Sequence, residues 1–353
     1  MDLVSLLAAN KLSDAIGKFI YEILYGWISG WSSDWGIVGA FSVTVIMFTL
    51  FLKVIVLPFD IWQKQLGRSN AKKMALMKPE LEKITKQCGS NKEMLMQKQR
   101  ALYKKYKYST FGTCLPMIIT LVIFFIVFGG YNSAVRLHNK TTYENLEAIY
   151  TTTYDTEMEN LAESGISDAE KRNSAIQKAE QAVLDNYKSE RFFLTKNIFV
   201  ADNWKKPVPS ASDFTGTGMG GAGVTDVDPD MYQIVMRPVM EKYNVGWNGY
   251  LILPVLVLLL NLITMKLNKP AEQPAVAGQT EEQIKAQQSQ MKIMQFIMPI
   301  MMLVFALFYS AAFTLYMFVN SLITTIFNLL FNIITKRIDE KEKDRLMSVT
   351  VKK

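Results

Sequence analysis

The stretch 35–60, WGIVGAFSVTVIMFTLFLKVIVLPFD, decides how the chain folds. From Ile37 to Leu57 it runs 21 residues with a single charge, Lys53. About 20 apolar residues, each rising about 1.5 Å, cross the hydrocarbon core of a bilayer, so the pattern predicts a transmembrane helix. Lys53 precedes Pro58 on that helix, by about 7.5 Å of rise. Ser42, Thr49 and Lys53 follow one another at i, i+7 and i+11, so the lysine ends a polar stripe on one face. A lysine near the centre of a span costs roughly 2.5–3.5 kcal/mol on insertion scales. Two accounts stay open on position alone: the stem snorkels to the nearer headgroups, or the ammonium sits in a wet, protein-lined cavity inside the membrane.

After the span come KKMALMKPELEKI (72–84), QRALYKKYKY (99–108) and GTCLPMIITLVIF (112–124). This order of charged span, proline, basic helical segments and G-x-C-L-P resembles the YidC family of membrane protein insertases. FFLTKNIFVADNW (192–204) is similar to the extracytoplasmic stretch of Gram-positive members, and FTLYMFVNSLITTI (313–326) to the family's final span. The resemblance runs over residues 25–135 and 190–345. It implies an all-α polytopic membrane protein with five transmembrane helices, a cytoplasmic αα-hairpin and an N-terminal amphipathic interfacial helix. It also implies a hydrophilic groove open to cytoplasm and lipid but closed to the outside, and no pore. The sequence departs from the family at three places. Lys53 stands where most members have arginine, which keeps the charge and loses the bidentate fork. Ser109-Thr110 replaces an Asn-Pro, and the second span lacks the usual Gln and Pro.

Composition agrees with a membrane protein. Half of the 353 residues are apolar and 20% are charged, too few charges for an ordinary soluble domain of this length. The two cysteines, Cys88 and Cys114, fall in a segment read as cytoplasmic, so no disulfide is expected. One histidine, His138, and no Cys/His cluster argue against a metal, and no cofactor is expected.

Residues 1–35 begin with MDLVSLLAA, a poor signal peptide without a preceding basic residue. Leu12, Ile16, Phe19, Ile20, Ile23 and Leu24 then recur at helical spacing, predicting an interfacial amphipathic helix with Trp27, Trp31 and Trp35 as belt residues. The first span covers 36–58. Residues 59–114 carry 13 Lys/Arg against 4 Asp/Glu, and two apolar stripes around the turn Cys88-Gly89-Ser90-Asn91 predict a basic hairpin. Pro79 is expected to start or kink its first arm. The second span, 115–135, is closed by Gly129-Gly130 and Arg136, and a long polar segment follows over 136–246 with 12 basic and 17 acidic residues. Within it, 155–188 has helical composition and 207–230 is Pro, Ser, Gly and Asp-rich, which predicts flexibility.

Two pattern matches in that segment carry no chemistry. Gly216, Gly218 and Gly221 satisfy G-x-G-x-x-G without a predicted strand before or helix after. Asp226, Asp228 and Asp230 alternate like a calcium loop but lack its glycine and distal glutamate. A third span is expected over 247–265 and a cytoplasmic connector over 266–292. The 43 uncharged residues between Lys292 and Lys336 are too many for one span, so they are read as two, 293–310 and 313–335. The tail, 336–353, is basic. Loop charges of +9 over 59–114 and −5 over 136–246 then place the N-terminus outside and the C-terminus inside a bacterial plasma membrane.

The candidate client-binding groove joins Lys53, Thr49 and Ser42 to Thr120 on the second span, Asn261 on the third, and Tyr316, Asn320 and Thr324 on the fifth. The plain account of each is helix–helix hydrogen bonding, about 0.6 kcal/mol apiece; their joint appearance with Lys53 favours a shared wet groove. Lys72, Lys73, Lys78, Arg100, Lys104 and Lys105 are the candidate hairpin contacts, with solvated positive-inside charge as the plain account. The resemblance implies nascent membrane proteins, the ribosome and membrane lipids as partners, with the Sec translocon and the signal recognition particle pathway beside them. A transporter or channel using Lys53 as an anion site would show inverted repeats, and none is found. An intramembrane enzyme would need a nucleophile and base, and the spans hold no Asp, Glu or His.

Overall fold

In the computed structural model the described residues are 3–31, 36–88, 91–108, 111–267, 296–297 and 299–351. Their order is α1 (Leu3–Lys18), a π-helical stretch (Phe19–Tyr25), α2 (Gly26–Trp31), α3 (Ala40–Cys88), α4 (Lys92–Lys105) and α5 (Phe111–Asn160). Then come α6 (Asp168–Asn186), α7 (Ala211–Thr215), α8 (Pro229–Tyr243), α9 (Ile252–Leu267), α10 (Pro299–Phe308) and α11 (Ala311–Val351). The protein is all-α among the described residues, with two isolated β-bridges and no ladder. Three helical stretches are long and apolar enough to cross a membrane: Ala40–Cys88, Ile119–Asn160 and Ala311–Lys341. Helices α9 and α10 are shorter and apolar. The connector expected over 266–292 lies, from residue 268 on, outside the described residues, as does Trp35.

The chain divides into two compact units. The first comprises Met1–Leu50, Phe125–Val257 and Met302–Val319. Here α5 does not stop at Gly129-Gly130 but continues to Asn160. The glycines serve instead as a docking surface, because a Cβ on Gly129 or Gly130 would overlap Ser13 or Ile16 of α1. Gly17 of α1 meets Ser133 in the same close way, the small-residue packing that brings apolar helices together. Asp14 secures the contact, accepting from Ser133 Oγ at 2.9 Å and Arg136 at 3.1 Å. Of the expected apolar face, Ile20 is buried, whereas Leu12 and Ile23 stay exposed with Trp27 and Trp31.

The far half of α5 packs with α6, α7 and α8 around Tyr143, Leu146, Tyr150, Val183, Phe214, Tyr232 and Val235. The segment 207–230, expected to be flexible, is folded into this core: Val208, Phe214 and Val224 are buried within it. Backbone bonds close its turns, Val224 N–H donating to the Phe214 carbonyl at 3.1 Å and Gly223 N–H to that of Gly216 at 3.0 Å. Composition misleads because a few apolar side chains, correctly spaced, suffice to anchor a polar segment. Asp228 caps α8 and Asp226 pairs with Lys140, so the alternating aspartates have structural partners.

Residues 190–203 organise this unit by serving the ends of four helices. Helix N-termini leave N–H groups without intrahelical partners, and in a membrane these must be met by protein. Gly39 N–H donates to the Arg191 carbonyl at 2.7 Å and Phe41 N–H to Glu190 Oε2 at 3.2 Å, securing the start of α3. Ala312 and Ala311 of α11 donate to the carbonyls of Ile198 and Val200 at 2.8 and 3.0 Å. Asp202 accepts from Leu251 and Leu253 at the start of α9, and Asn203 donates to the Leu307 carbonyl at the end of α10. Burial pushes the Asp202 carboxyl up, while those backbone N–H groups pull it down. Fully buried Asn248 ties the clasp together, bonding Asn197 N–H, the Asn197 carbonyl and the carbonyls of Val200 and Ala201.

The second unit comprises Phe51–Phe124, Leu258–Met301 and Asn320–Lys353. Helix α3 passes through Pro58 and Pro79 without ending, so Pro79 starts no new arm. An internal proline costs about 3 kcal/mol, and buried Met74, Met77 and Leu81 on either side of Pro79 offset it by packing with Leu102 of α4. Asn91 caps α4, accepting from Met94 N–H at 3.1 Å. Exposed Glu80 joins the two helices by accepting from Lys105 at 2.9 Å and from the Tyr106 hydroxyl, and these two donors hold its carboxyl below the usual range.

Candidate functional site

Lys53 points from α3 toward α11. Its Nζ donates to Thr324 Oγ1 at 2.9 Å and lies 2.8 Å from Asp60 Oδ2. The side chains of Lys53 and Asp60 are 11% and 20% exposed, so the charges are largely withdrawn from solvent. Asp60 is seven residues further along the same helix, two turns or about 10 Å of rise. The pair therefore closes only because the lysine stem lies along the helix toward Pro58 and the aspartate leans back. Asp60 Oδ2 is buried and, among the described residues, receives no directed hydrogen bond, so the ammonium compensates it as an ionic neighbour. Removing either partner would leave a charge stranded in a poorly hydrated site.

Around this pair α9 and α11 are laced by neutral polar groups. Thr264 and Thr325 share a 2.8 Å hydroxyl contact, Thr325 also donates to the Ser321 carbonyl, and Asn332 donates to the Leu267 carbonyl at 3.2 Å. Asn328 is 1% exposed, and among the described residues neither atom of its amide has a hydrogen-bond partner. Further along α3, Arg68 and Lys72 both pair with Asp339 of α11, the latter at 3.2 Å. Lys72 first, joined by Arg68, holds the Asp339 carboxyl below its ordinary range against the opposing effect of desolvation. Burial pushes the Lys64 ammonium down, and Asp60 one turn away opposes that shift.

Of the candidate groove residues, the structure brings Lys53 and Thr324 into contact. Asn261 and Asn320 are half-buried in the same unit, and Thr120 is exposed there. Ser42, Thr49 and Tyr316 belong to the first unit and are buried. Ser42 Oγ donates to the Arg191 carbonyl, Thr49 Oγ1 to the Val45 carbonyl at 2.6 Å, and the Tyr316 ring packs against Tyr131 at 5.1 Å. Among the hairpin cations, Lys72 meets Asp339, Lys73 donates to the Lys107 carbonyl at 2.8 Å and Lys105 meets Glu80. Lys78, Arg100 and Lys104 are exposed.

The sequence reading missed Asp60. It follows Pro58 and was counted among the loop charges, although its i+7 spacing from Lys53 places it near the same face. It missed Asp339 for the same reason. The arrangement offers no nucleophile–base pair and, among the described residues, no cluster of His, Cys, Asp or Glu able to hold a metal. What it offers is a part-buried positive charge on an apolar stretch of α3, held by one carboxylate and one hydroxyl.

The chain resembles a membrane protein insertase YidC of Fusobacterium nucleatum at 36% identity over 98 residues, 28% of this chain and 46% of that one. It resembles the protein of the same name from Caldanaerobacter subterraneus at 35% over 91 residues, 26% and 42% of the two chains. A third, from Anaeromyxobacter dehalogenans, is 24% identical over 126 residues, 36% of this chain and 22% of the relative. The chain thus covers under half the length of the relatives it matches. The sequence model of the 60Kd inner membrane protein family matches residues 34–340, which takes in α3 through most of α11. By that match over most of its length, the chain belongs to the 60Kd inner membrane protein family.

Proposed function

We propose that this chain is a membrane protein insertase and chaperone of the bacterial plasma membrane, which moves nascent transmembrane segments into lipid. The observation that carries the reading is the Lys53 ammonium on an apolar helix, held by Asp60 at 2.8 Å and Thr324 at 2.9 Å. The insertase names of the relatives support it. In this reading α3, α5, α9, α10 and α11 are five spans, with the N-terminus outside and the C-terminus inside. The far part of α3 and α4 form the basic cytoplasmic hairpin.

A client's hydrophobic segment slides along lipid beside a hydrophilic groove. Its polar flank enters at Lys53 and Thr324, with Asn261, Asn320 and Thr120 as further polar positions. An acidic flank displaces Asp60, so one carboxylate replaces another at the ammonium and no bare charge is exposed on the way. Ser42, Thr49 and Tyr316 support helix packing. A polar tail then crosses a partly hydrated barrier in place of a full bilayer. No covalent bond changes, and partition of the client's apolar span into lipid supplies the drive. The hairpin, through Lys72, Lys73, Lys78, Arg100, Lys104 and Lys105, faces the ribosome. The Sec translocon and the signal recognition particle pathway are further partners.

The test is site-specific photocrosslinking to a stalled nascent chain in intact membranes. A photoreactive residue at Thr324 or Asn320 should give client adducts, and one at Ala175 in the buried core of the first unit should give none. Absence of adducts from both α11 positions would overturn the groove.

A further inference from the structure

Residues 192–195 form a closed turn. Phe192 N–H donates to the Thr195 carbonyl at 3.0 Å, and Thr195 N–H returns the bond at 2.9 Å. The tip is Phe193-Leu194, and both side chains are exposed, at 59% and 57%. Phe193 has φ 49°, the left-handed region that glycine adopts without strain and a bulky side chain rarely occupies. A strained backbone that displays an aromatic ring to its surroundings points to a use for the ring.

The location of the tip says what that use is. Phe193 N–H donates to the Ile37 carbonyl at 2.8 Å, and Val38 bridges Phe192, so the tip is fixed beside the residues that lead into α3. Ile37, just before α3, is 55% exposed, and Met47 and Leu50 present an exposed apolar surface on α3 itself. That surface belongs to a stretch apolar and long enough to cross the membrane, so its neighbour is lipid. The tip extends it outward. The N–H groups of Phe192, Phe193 and Thr195 are satisfied within the protein, which a segment entering the headgroup region needs.

We infer that Phe193-Leu194, together with Ile37, is a wedge inserted into the lipid of the outer leaflet, anchoring the 190–203 clasp to the bilayer. The leaflet rests on the topology proposed above; insertion into lipid does not.

The experiment uses the full chain in lipid bilayers, with Cys88 and Cys114 replaced by serine and one cysteine at position 193, 194 or, as the control, 218. Exposed Gly218 has open space around it. Each cysteine carries an environment-sensitive NBD dye. The expected result is blue-shifted emission at 193 and 194, strong quenching by lipids with a nitroxide near the headgroup, and iodide quenching several-fold weaker than at 218. Phe193→Gly, which suits the turn and deletes the ring, should move the dye at 194 back toward the aqueous values. Equal iodide quenching at 193, 194 and 218 would overturn the wedge. Blue-shifted emission without nitroxide quenching would overturn lipid as the occupant in favour of protein. Impermeant thiol reagents applied outside intact cells read the topology separately: labelling at Ser210→Cys supports the outer leaflet, and labelling at Ser90→Cys overturns that assignment while leaving insertion to the dye.

Discussion

The 190–203 clasp and the Lys53 cluster both put polar groups against apolar helices, but they satisfy them by different means. In the clasp the donors are mostly backbone N–H groups at helix starts, and the acceptors are carbonyls and the side chains of Glu190, Asp202 and Asn248. Asp202, Asn203 and Asn248 are at most 1% exposed. Backbone groups cannot rotate away, so opening the clasp would orphan several of them at once. At Lys53 the partners are side chains, a long flexible stem meeting one carboxylate and one hydroxyl. In the function proposed above, either contact gives way when a client's acceptor arrives, whereas the clasp stays closed.

The most damaging single change should fall on the clasp. Asn248→Ala removes four hydrogen bonds and leaves their backbone partners buried, a loss of about 4 kcal/mol at 1–3 kcal/mol per stranded group. Thermal or denaturant unfolding in detergent would check it, and a loss below about 1 kcal/mol would mean that the clasp adapts. Lys53→Met should come next. Breaking a buried pair from one side costs about 3–5 kcal/mol, with the lower end expected because Asp60 is 20% exposed. The double variant Lys53→Met/Asp60→Asn should recover most of that loss, so the mutant cycle isolates the pair.

Smaller effects should mark the exposed pairs of the second unit. Asp339→Asn should have the smallest effect on stability, and high salt should abolish it, since Asp339 is 42% exposed. Glu80 gives a pH signature. Its carboxyl is lowered by Tyr106 first and then Lys105. Its contribution to the packing of α4 on α3 is therefore present above the unfolded glutamate pKa and disappears as pH falls through the lowered folded value. Hydrogen exchange in α4 should rise on acidification in the parent, and Glu80→Gln should flatten that dependence.

Some of this was legible in the sequence because it is written in local pattern. The apolar run around Lys53 announces a span, and Lys53 is visible as the one charge within it. The Met74–Met77–Leu81 stripe likewise announces a packed face. The rest depends on distant partners. Asp60 looks like a loop residue until Lys53 is seen to lie along the helix toward it. Nothing local in FFLTKNIFVADNW says that its carbonyls receive the N–H groups of Ala311 and Ala312, more than 100 residues away. The Gly129-Gly130 pair reads as a helix end on propensity, and is a contact surface only once α1 is present. Polar 207–230 reads as mobile because composition cannot show Phe214 and Val224 entering a core.

The central claim is that Lys53 acts through its charge and that Asp60 is the carboxylate a client replaces. Reconstituted vesicles with two clients, identical except for an acidic or neutral translocated tail, test it directly. The account predicts that Lys53→Met loses the acidic-tail client with far less effect on the neutral one, and that Lys53→Arg supports both. Asp60→Asn should raise insertion of the acidic-tail client relative to the neutral one. Equal insertion of the acidic-tail client by Lys53→Met and the parent would contradict the account and leave Lys53 as an interface anchor.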